Sequence, residues 1–143
     1  MDECDIVTTR VLAAPREQVF RAFSDPARLA RWWGPEGFTS TFKAFNFEPG
    51  GVWTFVMHGP DGVNYPNESR FVEIVPPARI VFDHVIGTLF RATFVLTEEG
   101  DGTRLHWTMH FDDPIACARV ARFAGEANEQ NLDRLAELLR KEA

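Results

Sequence analysis

The chain has 143 residues, the length of one ordinary domain, and a hydrophobic fraction of 45% is enough for a real core. A formal net charge of −6 argues against a nucleic acid or an anionic membrane surface as partner, because either would need a basic patch. Two cysteines, Cys4 and Cys117, have no metal-ligand spacing and do not make a disulfide scaffold. In chain order, the acidic start Met1-Asp2-Glu3-Cys4-Asp5 lacks the basic and apolar runs of a signal peptide. No later run reaches the length of a membrane span, so the expectation is a cytoplasmic chain in a reducing setting. Residues 6–13, with Val7, Thr8, Thr9 and Val11, read as a first strand. Pro15 suits a first helical position, and Val19, Phe20 and Phe23 form one apolar stripe behind it. Asp25-Pro26 caps and starts a second short helix with Leu29, Trp32 and Trp33, which Gly34-Pro35 ends.

Strands then follow over residues 38–47, 52–58, 64–75, 79–85, 89–97 and 103–111, separated by Gly and Pro turns. Trp53, Phe55 and Met57 share one strand face, and Leu105, Trp107 and Met109 share another, because side chains alternate. Pro66 demotes the start of its strand to an edge or a bulge. Pro114 opens a final helix to about residue 140, with Val120, Phe123, Ala124 and Ala127 beginning its inner stripe and Leu132, Leu135, Leu138 and Leu139 finishing it. Asn128 and Asn131 interrupt that stripe where apolar residues are expected, and Gly125 suggests a close backbone approach.

This order describes a single α+β domain over residues 1–143 with a mostly antiparallel sheet. Seven strands about 4.8 Å apart span roughly 30 Å, whereas one helix is about 10–12 Å across. The sheet must therefore curl around the helix, and the remaining volume is either plugged by side chains or left as a cavity.

The series Pro15…Val19-Phe20…Phe23-Ser24-Asp25-Pro26…Leu29…Trp32-Trp33-Gly34-Pro35-Glu36-Gly37-Phe38, then Pro49-Gly50-Gly51, Pro60-Asp61-Gly62 and Phe71-Val72-Glu73-Ile74-Val75-Pro76-Pro77, resembles the activator of heat-shock protein 90 ATPase homologue-like family. That family belongs to the START-like (SRPBCC) superfamily of helix-grip domains. The closing Leu132-Asp133-Arg134-Leu135-Ala136-Glu137-Leu138-Leu139 resembles its last helix, so the likeness spans the chain. It implies a curved, seven-stranded, mostly antiparallel sheet gripping the long C-terminal helix, with two short helices after the first strand and a cavity for an apolar molecule. Two departures stand out. The family commonly has Asp-x-Arg before Pro-Gly-Gly where this chain has Asn46-Phe47-Glu48, and a Trp near the position of Asn128.

The expected cavity lining is Trp33, Phe38, Trp53, Phe55, Met57, Tyr65, Phe71, His84, Phe123 and Ala127, with Glu73, Asn128 and Asn131 orienting a ligand's polar end. Glu73 alternates with Phe71 and Val75, which leaves two readings open: an inward carboxylate needing a partner, or an outward one in a ladder of surface charges. His106 and His110 lie four apart on a strand, too far for one metal ion, and no phosphate loop or nucleophile elbow occurs. Cys117, near the start of the last helix, reads as a buried structural thiol or as a thiol activated by the helix start. The expectation is a domain binding a small hydrophobic or amphipathic ligand, with no metal or cofactor, no nucleic acid and no membrane. Its exposed strand edges would allow a homodimer. Two alternatives stay open: a module that modulates a chaperone ATPase, and a small cyclase-, dehydratase- or hydrolase-like enzyme acting through Glu73 or His84 on an aromatic or polyketide-like substrate.

Overall fold

In the computed structural model, which describes residues 4–142, Pro15 and the Asp25-Pro26 pair place two short helices directly after the first strand. The elements are β1 (Cys4–Leu12), α1 (Arg16–Ser24), α2 (Pro26–Trp32), β2 (Thr39–Phe45), β3 (Val52–His58), β4 (Asn64–Val75), β5 (Arg79–His84), β6 (Phe90–Glu99), β7 (Gly102–Phe111) and α3 (Pro114–Glu142). Asp25 caps α2 as its sequence suggests: its carboxylate accepts the Ala27 N–H at 3.0 Å.

The strands form one antiparallel, curved, unclosed sheet in the order β1-β7-β6-β5-β4-β3-β2. The meander runs from one edge to β7, and β1 closes against β7 at the other edge. Pro66 sits where β4 pairs only with β3, because pairing with β5 begins at Ser69. A residue without an N–H is tolerated there. The concave face carries Trp53, Phe55, Phe71, Phe82, Phe94, Leu96, Leu105 and Trp107, all buried. α1 and α2 cover part of this face through Val19, Phe20, Phe23, Leu29 and Trp32, and α3 covers the rest through Leu132, Leu135, Leu138 and Leu139. Trp32 is fully buried, and its indole N–H donates to Ala22 O at 2.9 Å. No helix of the described residues is long and apolar enough to cross a membrane.

Three expectations from the sequence need correction. Cys4 and Cys117 are joined by a disulfide, so Cys117 is neither a free structural thiol nor an activated one. The reason is tertiary: Cys4 pairs with Phe111, three residues before α3 begins, which brings the two cysteine Cα atoms to 6.1 Å across 113 residues. Phe123 is 62% exposed rather than part of the inner stripe of α3. The buried residues are Cys117, Ala124, Asn128, Asn131 and Leu132, and Phe123 lies about 100° around the helix from Ala124. Gly125 serves no close approach, since an added Cβ would meet nothing within 4 Å.

Candidate functional site

Between the concave sheet and α3 lies a partly open cavity of about 160 Å3. Seven of the expected residues line it: Trp33, Trp53, Phe55, Met57, His84, Asn128 and Asn131. Gly34, Pro35, Asn67, Ser69, Phe82, Phe90, Ala92, Trp107 and Met109 complete the wall. Among the described residues none of these carries a formal charge at neutral pH apart from any charge on His84.

Trp33 stands at the centre of the floor. Its ring lies 5.3 Å from Trp53, 5.8 Å from Trp107 and 6.1 Å from Phe82, centroid to centroid. The two adjacent Trp therefore divide their tasks: Trp32 fills the core under α1, and Trp33 divides the concave face and leaves a remnant void. The corner that aims Trp33 is held by α3. Asn131 accepts the Gly34 N–H at 3.2 Å and donates to Trp32 O at 2.8 Å. Arg134 donates to Arg31, Gly34 and Pro35 carbonyls, covering the C-terminal end of α2. Desolvation lowers the Arg134 pKa from its ordinary value. Gly34 has φ +109°, a backbone conformation that other residues adopt only with strain.

A cross-strand row runs over the face from Trp53 through Ser69 and His84 to Phe90. His84 is locked in this row. Its Nδ1 donates to Thr88 O at 2.7 Å, its Nε2 meets Asn67 Oδ1 at 2.9 Å, and its ring stacks on Phe90 at 4.9 Å. Asn67 in turn donates to Tyr65 O. Both ring nitrogens of His84 are thus engaged by the protein. Asn128, on α3, donates to Thr8 Oγ1 at 3.3 Å and reaches Met109 Sδ at 3.6 Å. The indole nitrogens of Trp53 and Trp107 are buried with no hydrogen-bond partner among the described residues.

The other expected residues lie elsewhere. Glu73 is exposed and ion-paired with Arg79 at 2.7 Å. A register shift between Phe71 and Glu73 breaks the alternation, so the carboxylate emerges on the convex side. Phe71 is buried behind the cavity against Phe47 and Phe82. Phe38 and Tyr65 face each other at 6.0 Å without lining it, and Tyr65 is exposed. Ala127 is half-buried and Phe123 exposed, both outside the wall. Four of the residues that sequence reasoning missed were within its reach. Ser69 and Asn67 continue the period-two pattern of Phe71 backwards along β4, and Trp107 and Met109 alternate on β7 as Trp53 and Met57 do on β3.

An open groove of about 1080 Å3 adjoins the cavity, shares His84 and Phe90 with it, and runs between the β5–β6 loop and the first turns of α3. Leu89, at 62% exposure, stands on its rim. Among the described residues no group of three or more His, Cys, Asp or Glu is placed to hold a metal ion.

The fold recurs in solved structures. The chain is similar to protein NE0264 from Nitrosomonas europaea in fold (23% identity, 97% of this chain and 96% of that one, TM-score 0.88). It is also similar to protein CV1439 from Chromobacterium violaceum (30% identity, 95% and 97%, TM-score 0.83) and to the AHSA1 (SPO3351) protein from Silicibacter pomeroyi (26% identity, 98% and 100%, TM-score 0.79). No curated protein matches. The family model described as Activator of Hsp90 ATPase homolog 1-like protein matches residues 13–140, a span holding both short helices, β2 to β7 and nearly all of α3, and the chain belongs to that family.

Proposed function

We propose that this chain binds a small apolar or amphipathic molecule in the cavity between the concave sheet and α3. One observation carries the reading: three indoles and several other rings converge there, yet leave about 160 Å3 of space whose wall holds no carboxylate, lysine or arginine, and whose one histidine, His84, has both ring nitrogens engaged by the protein. A void near 150 Å3 accepts one benzene-sized molecule, so the inner site suits a single ring or a short branched chain. A whole long-chain fatty acid does not fit inside it, and the adjoining groove is where a longer ligand would continue. The catalytic alternative finds less support, since Glu73 is outside and both nitrogens of His84 are occupied. The chaperone reading draws on the family description alone, and an ATPase assay with the chaperone discriminates it; no stimulation is expected.

The test is thermal unfolding with and without saturating toluene, alongside native mass spectrometry of freshly purified protein. A ligand that binds only the folded state raises the midpoint in proportion to its occupancy. A rise with toluene supports the reading, and an unchanged midpoint with no co-purified small molecule removes it.

A further inference from the structure

The cavity's size and apolar wall leave open which small molecules it prefers, and its polar atoms narrow the choice. Trp53 is 1% exposed and Trp107 is 4% exposed, and both line the cavity. Their N–H groups have no acceptor among the described residues. A buried donor without a partner is costly, and Trp normally finds one when buried. Trp32 does so through Ala22 O. Two of the four indoles are therefore buried without an acceptor among the described residues, and both of these rings line this one void. Ser69, buried in the row beside Trp53, adds a hydroxyl to the same wall. No basic side chain on the wall has a free donor for a ligand carboxylate, because His84 already spends its ring nitrogens on Thr88 and Asn67.

Resting on the binding proposed above, we infer that the inner site selects an uncharged single-ring molecule carrying a hydrogen-bond acceptor oxygen, a ketone, ester or ether, over a hydrocarbon or a carboxylate of the same size. Burial of the ring supplies the common part of the affinity. The acceptor oxygen supplies the difference by giving a partner to an indole donor, now buried, whose ring turns its N–H toward the void.

The probes are ethylbenzene, acetophenone and benzoate, titrated into the intact chain. Indole N–H resonances in proton–nitrogen NMR spectra are the readout, assigned with Trp53→Phe and Trp107→Phe. Acetophenone is expected to bind about tenfold tighter than ethylbenzene, the order expected from one buried donor gaining an acceptor, with benzoate weakest. It is also expected to move the Trp53 or Trp107 N–H signal downfield, which ethylbenzene does not. Equal binding of acetophenone and ethylbenzene overturns this inference and leaves the cavity reading standing. Tightest binding by benzoate overturns it as well. Failure of all three probes to bind overturns the cavity reading itself. The comparison uses the unaltered chain, so a misfolded variant does not affect the outcome.

Discussion

Asn131 on α3 holds the peptide groups on both sides of Trp33, accepting from Gly34 N–H at 3.2 Å and donating to Trp32 O at 2.8 Å. A polar residue in an otherwise apolar stripe thus sets the ring at the centre of the cavity floor. Replacing it by Leu leaves one buried donor and one buried acceptor unpaired. Asn131→Leu is expected to cost about 2–4 kcal/mol, read as a lower urea midpoint, and to change the near-ultraviolet circular dichroism of the Trp cluster.

Filling the void should separate binding from folding. Ala92 is buried on β6 between Phe82 and Met109 and lines the cavity. Ala92→Leu places its added atoms in open space. Probe binding is expected to disappear, while stability stays within about 1 kcal/mol, below the usual 1–3 kcal/mol cost of overpacking a filled core. Calorimetric titration with toluene and thermal unfolding check the two halves.

The Cys4–Cys117 bridge closes most of the chain into one loop. In the chain-entropy limit, reduction or Cys117→Ser is expected to cost about 4–5 kcal/mol, seen as a lower unfolding midpoint in the presence of reductant. Thiol titration of the denatured protein should find no free thiol before reduction. Disulfides persist mainly in oxidising compartments, so the redox state of the pair in cells tests the cytoplasmic expectation directly.

His110 on β7 lies 2.7 Å from Asp5 of β1 and 3.2 Å from Asp112. The hydrogen bond to Asp5, its charge and that of Asp112 hold the imidazole above its ordinary pKa. A histidine raised in the folded state contributes stability that is fully present below its unfolded value near 6.5 and is lost as pH rises through the folded value. NMR titration should therefore place His110 above that unfolded value, and Asp5→Asn should lower it and flatten the stability profile across that window.

Glu73→Gln removes an exposed ion pair with Arg79. Such pairs contribute about 0–1 kcal/mol. Neither probe affinity nor the urea midpoint is expected to move beyond that range, and a clear change in ligand preference would bring the carboxylate back to the site.

The elements were legible because their signals are local. Pro15, Asp25-Pro26, Gly34-Pro35 and Pro114 mark helix boundaries through backbone geometry, and the strand runs are bounded by Gly and Pro turns. Seven of the sixteen residues of the cavity wall were legible too. Period-two alternation holds along β3, so Trp53, Phe55 and Met57 point inward together. The same rule failed for Glu73 because one register shift after Phe71 reverses every later side chain, and neither Phe71 nor Glu73 announces it. Phe123 failed for a similar reason: a helix stripe has a phase, and the packing of Cys117, Ala124 and Asn128 against the sheet decides it.

Local order, the need for a curled sheet and the family were thus properties of the sequence alone, because turn chemistry, side-chain period and strand width act within short stretches of chain. Three matters belonged to the tertiary structure: the Cys4–Cys117 bond, the division of labour between Trp32 and Trp33, and the pair of unpartnered indoles at Trp53 and Trp107. Each depends on groups far apart in sequence meeting at distances of a few ångströms, and no local pattern encodes where a pleat slips or where a void is left.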